Sequence, residues 1–364
     1  MEGTYRRAIL TGVGGPWKIE ETPFPELGPG QVLVKIVSAS ICNQTDLNTV
    51  RGIHPPHDHQ FNGMIPPDMR VYTKKENDPM KDCYPEHMYD LTPYPSTMGH
   101  EAAGIIVAFG PEIPHPFEQA TPQDNMKIGD RVGIFHCIGG LGEYVVAQRK
   151  YLVPVPESLT DEEAGMFEPM SVTYISVRKS MKIGDVVCIL GGGALGLSAV
   201  QWCRVGGART IILSEPVAFK REMAKKLGAD YVIDPTTQDV VKEVEKITNG
   251  VGCDVVYECA GIADTIRRLP YLTRCFGTMI QIGAGGQSVT VDWDLIHFKM
   301  LRCEGMHFGS GDPIECFTRT LQCMAAGLFD VKPLITHHYR LEQVEEAFAE
   351  IEKGNVIKAV FTFD

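Results

Sequence analysis

The chain has no basic surplus: 34 Lys and Arg stand against 46 Asp and Glu, a formal charge of −12 over 364 residues. Nonspecific nucleic-acid binding needs basic side chains to neutralise phosphates, so that partner is not expected. No apolar run approaches the ~20 residues needed to span a bilayer. The opening MEGTYRRAIL has no apolar core followed by a cleavage site. The expectation is a cytoplasmic protein with no membrane partner. The eleven cysteines are odd in number and contain no C-x-x-C pair. That suits a reduced intracellular enzyme rather than a disulfide scaffold. Internal repeats are absent as well. What remains, 44% hydrophobic and 22% charged residues, is the composition of a globular chain with room for two domains.

One stretch organises the rest. VVCILGGGALGLSA, from Val186 to Ala199, is a β-branched run that ends in glycines and opens into a helical pattern. A helix N-terminus presents unpaired N–H groups and a positive dipole end, which receive phosphates. Gly191, Gly193 and Gly196 have the G-x-G-x-x-G spacing of a dinucleotide site. The first permits a sharp turn, the second a close backbone approach to the pyrophosphate, and the third close packing of helix on strand. A second apolar run, Thr210 to Leu213, leads to Glu215, where an acidic residue is expected about 20 residues on. A carboxylate there accepts ribose hydroxyls and repels a 2′-phosphate, which favours NAD over NADP. The alternative is a glycine-rich turn in a cofactor-free α/β domain.

Before this stretch the chain reads as mostly β. QVLVKIVSASIC forms a strand ending at Cys42, with Thr45 and Asp46 just beyond. Gly99-His100-Glu101 precedes another strand, and further strands lie near residues 128–134 and 142–146. Residues 51–97 are polar, carry His54, His57, His59 and His87, and lack periodicity. A loop of that length reads as an insertion or lid. A helix begins near Leu159, with Thr160 as N-cap and acidic residues in its first turn. From Val186 strands and helices alternate, which implies a parallel sheet with right-handed crossovers. Two amphipathic helices follow residue 308, and VIKAVFTF closes the chain as a strand that packs back on the first domain.

Cys42, His100 and Glu168 supply thiolate, imidazole and carboxylate, a donor set that suits zinc with one position open. Glu101 is a further ligand or a steering group behind the metal. Each also has an ordinary reading: a buried small cysteine, a hydrogen-bonded histidine, a glutamate on a helix's polar face. The residue pattern alone leaves these alternatives open. His54, His57 and His59 of the insertion are read as solvated loop residues, with a second metal site, substrate contact or proton release as the alternatives.

The segments GHEAAG (Gly99 to Gly104), KIGDRV (Lys127 to Val132), GEYVV, FEPMSV (Phe167 to Val172), GGGALG, EPVAFKREMAKKLGAD and VIKAV together resemble the zinc-dependent medium-chain alcohol and polyol dehydrogenases over nearly the whole chain. The resemblance implies an α/β protein: a GroES-like, mostly-β catalytic domain over residues 1–168 and 308–364, and a Rossmann domain with a doubly wound parallel sheet over 169–307. It implies NAD, one catalytic zinc per chain on Cys42, His100, Glu101 and Glu168, and catalytic roles for His100 and Glu101. Thr45 resembles the hydroxyl that relays the substrate proton, and Asp46 the carboxylate behind the metal. Ala194 and Leu195 are expected at the pyrophosphate turn, Lys220 near the adenine ribose, Ile282, Gly283 and Ala284 on the nicotinamide side, and Lys358 near the pyrophosphate. A carboxylate at Glu168 resembles the polyol and sugar branch.

Three departures stand out. Cys42-Asn43-Gln44-Thr45-Asp46 is one residue longer than the family's cysteine-to-aspartate spacing, so a gapless match puts Asn43 in the ligand position. The four-cysteine lobe is missing, since Phe135-His136-Cys137 runs straight into Ile138-Gly139-Gly140, so no structural zinc is expected. Asn48 stands where some members carry a relay histidine. The expectation is a zinc-dependent oxidoreductase passing hydride between NAD and a secondary alcohol of a polyol, sugar or cyclitol, as a homodimer or homotetramer. The competing readings are a metal-free reductase of enones or quinones and a noncatalytic NAD-binding structural protein.

Overall fold

A computed structural model describes residues 2–51, 95–112, 122–135, 137–283, 289–305 and 313–363. Residues 52–94, and with them His54, His57, His59 and His87 of the expected insertion, lie outside the described residues, as does Ala284. The chain divides into two units, Met1–Glu168 with Ile335–Asp364, and Pro169–Leu334.

The first unit begins with β1 (Thr4–Leu10), β2 (Trp17–Pro23) and β3 (Gln31–Ser40). A short helix, α1 (Thr45–Val50), interrupts the region expected to be all β. It is followed by β4 (Ser96–Thr97), β5 (Glu101–Phe109), β6 (Arg131–Ile134), β7 (Tyr144–Gln148) and β8 (Leu152–Pro154). The long β3 is rich in β-branched residues and mostly buried, as suits a strand with neighbours on both sides. It pairs antiparallel with β5 and β7. Gly104 of β5 has no room for a side chain, because an added Cβ would collide with the Lys35 carbonyl. Helix α2 (Asp161–Gly165) starts where Thr160 caps it: the Thr160 hydroxyl accepts from the Glu163 N–H, and Glu163 reaches back to the Thr160 N–H. The expected single helix breaks at Met166, and α3 (Phe167–Ser180) follows.

Among the described residues, the second unit holds six parallel strands: β9 (Val186–Leu190), β10 (Thr210–Ser214), β11 (Tyr231–Ile233), β12 (Cys253–Glu258), β13 (Thr273–Gln281) and β14 (Arg302–Gly305). Their order is β11-β10-β9-β12-β13-β14. The order therefore reverses between β9 and β12, and such a reversal at the carboxyl ends of the strands is where ligands bind. Helices alternate with the strands: α4 (Ala194–Val205), α5 (Ala218–Lys226), α6 (Val240–Ile247), α7 (Ala263–Leu272), α8 (Trp293–Phe298) and α9 (Pro313–Ala325). The first unit resumes at Ile335, later than the expected residue 308. The difference has a packing cause. Phe329 stacks on Trp202 with centroids 4.4 Å apart, and Gln201 exchanges hydrogen bonds with the Asp330 backbone, so residues up to 334 stay with the second unit.

The returning segment adds β15 (Ile335–Tyr339), α10 (Val344–Glu352) and β16 (Lys358–Thr362). Strand β16 pairs antiparallel with β3, so Ser40 lies opposite Val360 on one side and opposite Glu101 of β5 on the other. Three distant segments therefore meet at one end of β3. Among the described residues, no helix is long and apolar enough to cross a membrane.

Candidate active site

In the second unit, β9 ends at Leu190 and the chain turns through Gly191, whose φ of +101° favours glycine. Gly193 is the N-cap of α4, and Ala194 and Leu195 begin its first turn. Gly196 lies against the strand, and an added Cβ would strike the Gly191 carbonyl oxygen. The turn thus exposes helix N–H groups at a fixed distance from the strand. Glu215 follows β10 and is buried. Its Oε2 accepts from the Gly192 N–H at 2.7 Å and its Oε1 from the Val217 N–H at 2.9 Å. Each oxygen retains acceptor capacity for a ribose hydroxyl. Near Glu215, burial holds the Lys220 ammonium below its ordinary pKa, against the pull of Glu215's charge. At the end of the neighbouring strands, the N–H groups of Ile282 and Gly283 both donate to the Glu258 carbonyl.

In the first unit, the Cys42 Sγ, a His100 ring nitrogen and a Glu101 carboxylate oxygen all lie within 4.8 Å of one another. The loop Cys42–Asp46 is closed by its own hydrogen bonds. Asp46 Oδ2 accepts from the Cys42 N–H at 3.0 Å, and Sγ accepts from the Thr45 N–H at 3.3 Å. His100 Nδ1 hydrogen-bonds Asp46 Oδ1 at 3.1 Å, which fixes the orientation of the ring. The extra residue is absorbed in this turn. Asn43 points away, its Nδ2 donating to the Val356 and Ile357 carbonyls at 3.2 and 3.0 Å, so Cys42 and not Asn43 joins the cluster. Among the described residues, the Thr45 hydroxyl has no hydrogen-bond partner, and neither does the Glu168 carboxylate.

Glu101 is 1% exposed and Lys358 2% exposed. Glu101 accepts from the Lys358 ammonium and the Ser40 hydroxyl, and Lys358 also donates to the Ile41 carbonyl at 2.7 Å. The ammonium of Lys358 is held by Glu101 and a backbone carbonyl, because the β16–β3 register sets it there. The sequence does not single out Ser40, and it offers Asn43 only as a candidate ligand. Each acts through a partner far away in the chain, so no local pattern marks it.

Burial alone would disfavour a charged His100, yet Asp46's charge and hydrogen bond, with Cys42, raise its pKa well above the ordinary value. Burial pushes the Cys42 thiol up, and the His100 hydrogen bond and charge more than reverse this. Glu168, 5% exposed, stands outside the 4.8 Å group but close enough for Glu101 and Cys42 to add to burial in raising its carboxyl well above the usual range, against His100. The neighbouring Cys137 thiol is pushed up to about 12, mainly by burial. A thiolate, an imidazole oriented by a carboxylate, and a buried carboxyl without a hydrogen bond form a donor set that fits a divalent, borderline-soft metal. Such an ion would displace the protons held here.

Family models match both units: the alcohol dehydrogenase GroES-like domain over residues 28–157, and the zinc-binding dehydrogenase over residues 194–326. The chain belongs to the zinc-dependent medium-chain alcohol and polyol dehydrogenases. This dehydrogenase is 30% identical over 374 residues to an L-threonine 3-dehydrogenase of Pyrococcus abyssi, covering 94% of each chain. It is 26% identical over 392 residues to a sorbitol dehydrogenase of Gallus gallus, covering 98% of this chain and 96% of that one. Among solved structures, a protein assigned as a zinc-binding dehydrogenase from Sinorhizobium meliloti, bound to NADP, matches over 100% of both chains with a TM-score of 0.78 and 25% identity. The dehydrogenase is thus an NAD(P)-dependent oxidoreductase acting on alcohols, with a GroES-like unit and a Rossmann unit. These matches favour the expected dehydrogenase over the enone reductase and the noncatalytic scaffold.

Proposed function

We propose that this dehydrogenase oxidises a secondary alcohol of a polyol, sugar or cyclitol, reversibly and with NAD, at a single zinc held by Cys42, His100 and Glu168, with Glu101 as the alternative ligand. The observation that carries the proposal is the donor group of Cys42, His100 and Glu101 behind which Asp46 fixes His100. Zinc at an open site would supply Lewis acidity that lowers the pKa of an alcohol. Thr45, one residue short of Asp46 and with an unengaged hydroxyl, takes the alcohol proton and passes it on, as a general acid–base relay must. His100 and Glu101 hold the charge of the site. A bound nicotinamide would accept the hydride; Ile282 and Gly283 would bound it, Gly191, Gly193, Ala194, Leu195 and Gly196 would seat the pyrophosphate, and Lys220 would lie near the adenine ribose. Glu215 selects NAD, because its carboxylate accepts ribose hydroxyls and repels a 2′-phosphate. Lys358 positions Glu101 and lies near the pyrophosphate.

The experiment is metal analysis of the purified protein together with a panel of polyols, sugars and inositols, each tried with NAD and with NADP. The expected result is one zinc per chain and NAD reduction with at least one polyol or cyclitol. Protein that holds no zinc and reduces neither cofactor with any of them overturns the proposal. Native mass spectrometry on the same sample tests the proposed homodimer or homotetramer, and cell fractionation tests the proposed cytoplasmic location.

A further inference from the structure

Glu258 ends β12, and three pieces of backbone in the second unit are tied to this point of the chain. The residue is 0% exposed. Its Oε1 accepts from the Ala260 N–H at 2.9 Å, the Gly261 N–H at 2.8 Å and the Thr265 hydroxyl at 2.7 Å, which fixes the loop between β12 and α7. Its carbonyl accepts from the Ile282 and Gly283 N–H groups at 2.8 and 2.9 Å, so the chain leaving β13 is held by the same residue. The third piece is the glycine turn. The next residue, Cys259, donates its N–H to the Leu190 carbonyl at 2.8 Å, where β9 ends.

These pieces are also in close contact. A Cβ added at Gly283 would lie 2.4 Å from the Gly261 nitrogen and 2.8 Å from Glu258 Oε2, and one added at Gly191 would lie 3.0 Å from both the nitrogen and the Cβ of Ala260. The loop after β12 thus fills the gap between the glycine turn and the chain after β13, beside the reversal of strand order. The carboxyl that shapes this loop is costly. Its Oε2 is buried with no hydrogen-bond partner among the described residues, and burial raises its pKa against the pull of Thr265 and the loop N–H groups. A buried oxygen without a partner destabilises a fold, and such departures gather where function needs the geometry.

We propose that Glu258 is a positioning residue for the cofactor: through the backbones of residues 260–261 and 282–283 it sets the distance between the glycine turn and the nicotinamide side, and so governs affinity for the nicotinamide half of the dinucleotide. The side chain itself touches no cofactor atom in this reading; it holds the backbone that does. The glycine turn is built from its own segment, and what Glu258 sets is the spacing beyond it. The inference rests on the cofactor placement proposed above, with the pyrophosphate on the Gly191 turn and the nicotinamide by Ile282 and Gly283. It is independent of the metal and of the alcohol.

The test is equilibrium binding to the full-length protein, with NADH followed by its fluorescence and AMP, which carries only the adenosine end, followed by calorimetry. Glu258→Met leaves three donors without their acceptor. It is expected to weaken NADH about tenfold while AMP stays within about twofold of wild type. Glu258→Gln keeps a side-chain oxygen for the same donors and is expected to restore NADH to within about threefold of wild type. NADH bound equally by wild type and Glu258→Met overturns the proposal. An equal loss of NADH and AMP overturns it too, because that marks a defect of the whole unit rather than of one spacing. Wild type that binds neither ligand overturns the cofactor placement as well, which separates that failure from the failure of Glu258 alone. Should Glu258→Met fail to fold, Thr265→Val removes one donor and leaves the loop backbone in place. NADH about two- to threefold weaker with AMP unchanged is then expected, and NADH equal to wild type is the overturning result.

Discussion

The second unit makes its binding turn from one continuous piece, the strand–turn–helix from Val186 to Val205, with Glu215 only a strand further on. The first unit gathers Cys42, His100 and Glu101, with Glu168 near them, and steadies them with Asp46 and Lys358. One site depends on local backbone geometry, in which three glycines and a helix N-terminus suffice. The other depends on the β16–β3–β5 register, so it exists only once the ends of the chain have come together. A local site can be damaged without harm to its surroundings, whereas a gathered site stands or falls with the sheet that assembles it.

The sharpest way to separate the two is to remove one donor. His100→Ala is expected to lower kcat by about a thousandfold or more, because several kcal/mol of transition-state stabilisation go with the metal. NADH binding, followed by its fluorescence, stays within about threefold of wild type, because RT ln 3 is a fraction of a kcal/mol and the cofactor turn is built separately. Loss of cofactor binding in step with turnover would show that the two sites are not separable.

Next in size is the register contact. Lys358→Met leaves Glu101 buried with only the Ser40 hydroxyl, and removing one partner of a buried ion pair costs about 3–5 kcal/mol. Denaturant unfolding of the metal-free protein measures it. The double variant Glu101→Gln with Lys358→Met should recover most of the loss, since no uncompensated charge remains. If Lys358→Met alone is as stable as wild type, the Glu101–Lys358 pair does not steady the cluster.

The same contrast explains what could be read from the residues beforehand. The glycine turn, the parallel alternation and Thr160 as an N-cap were all legible, because each rests on neighbours a few residues apart. The donors were nameable by type but not by arrangement. Whether Cys42 or Asn43 joins the donor group depends on the Val356 and Ile357 carbonyls, more than 300 residues away, which take up the Asn43 amide. The partner of Lys358 is hidden for the same reason: its position in the sequence says nothing of Glu101, and only the strand register does. The late boundary at Ile335 likewise rests on the Trp202–Phe329 stack, a contact across the chain that no local composition marks.

A smaller effect is expected from Glu215→Gln, which keeps the shape of the side chain and its acceptor for the Gly192 N–H but removes the charge. Discrimination between NAD and NADP, as the ratio of kcat/KM values, should fall by about tenfold, equivalent to about 1.4 kcal/mol. Zinc content should not change. An unchanged ratio would assign the choice of cofactor to other residues.

The smallest expected effect tests whether a local feature behaves locally even inside the gathered unit. Thr160 closes a capping box with Glu163 at the start of α2, three residues before Glu163 and eight before Glu168. Thr160→Ala removes one side of that box and should cost about 1 kcal/mol. For a unit of this size that is a fall of about 2–4 °C in Tm. Zinc stoichiometry and kcat at 25 °C should match wild type, because the cap lies outside the hydrogen bonds that join Cys42, Asp46 and His100. Scanning calorimetry with metal analysis on the same preparation measures both. A loss of zinc alongside the small drop in Tm would mean that α2 helps to set Glu168, extending the gathered site into a helix that otherwise depends only on its own first turn.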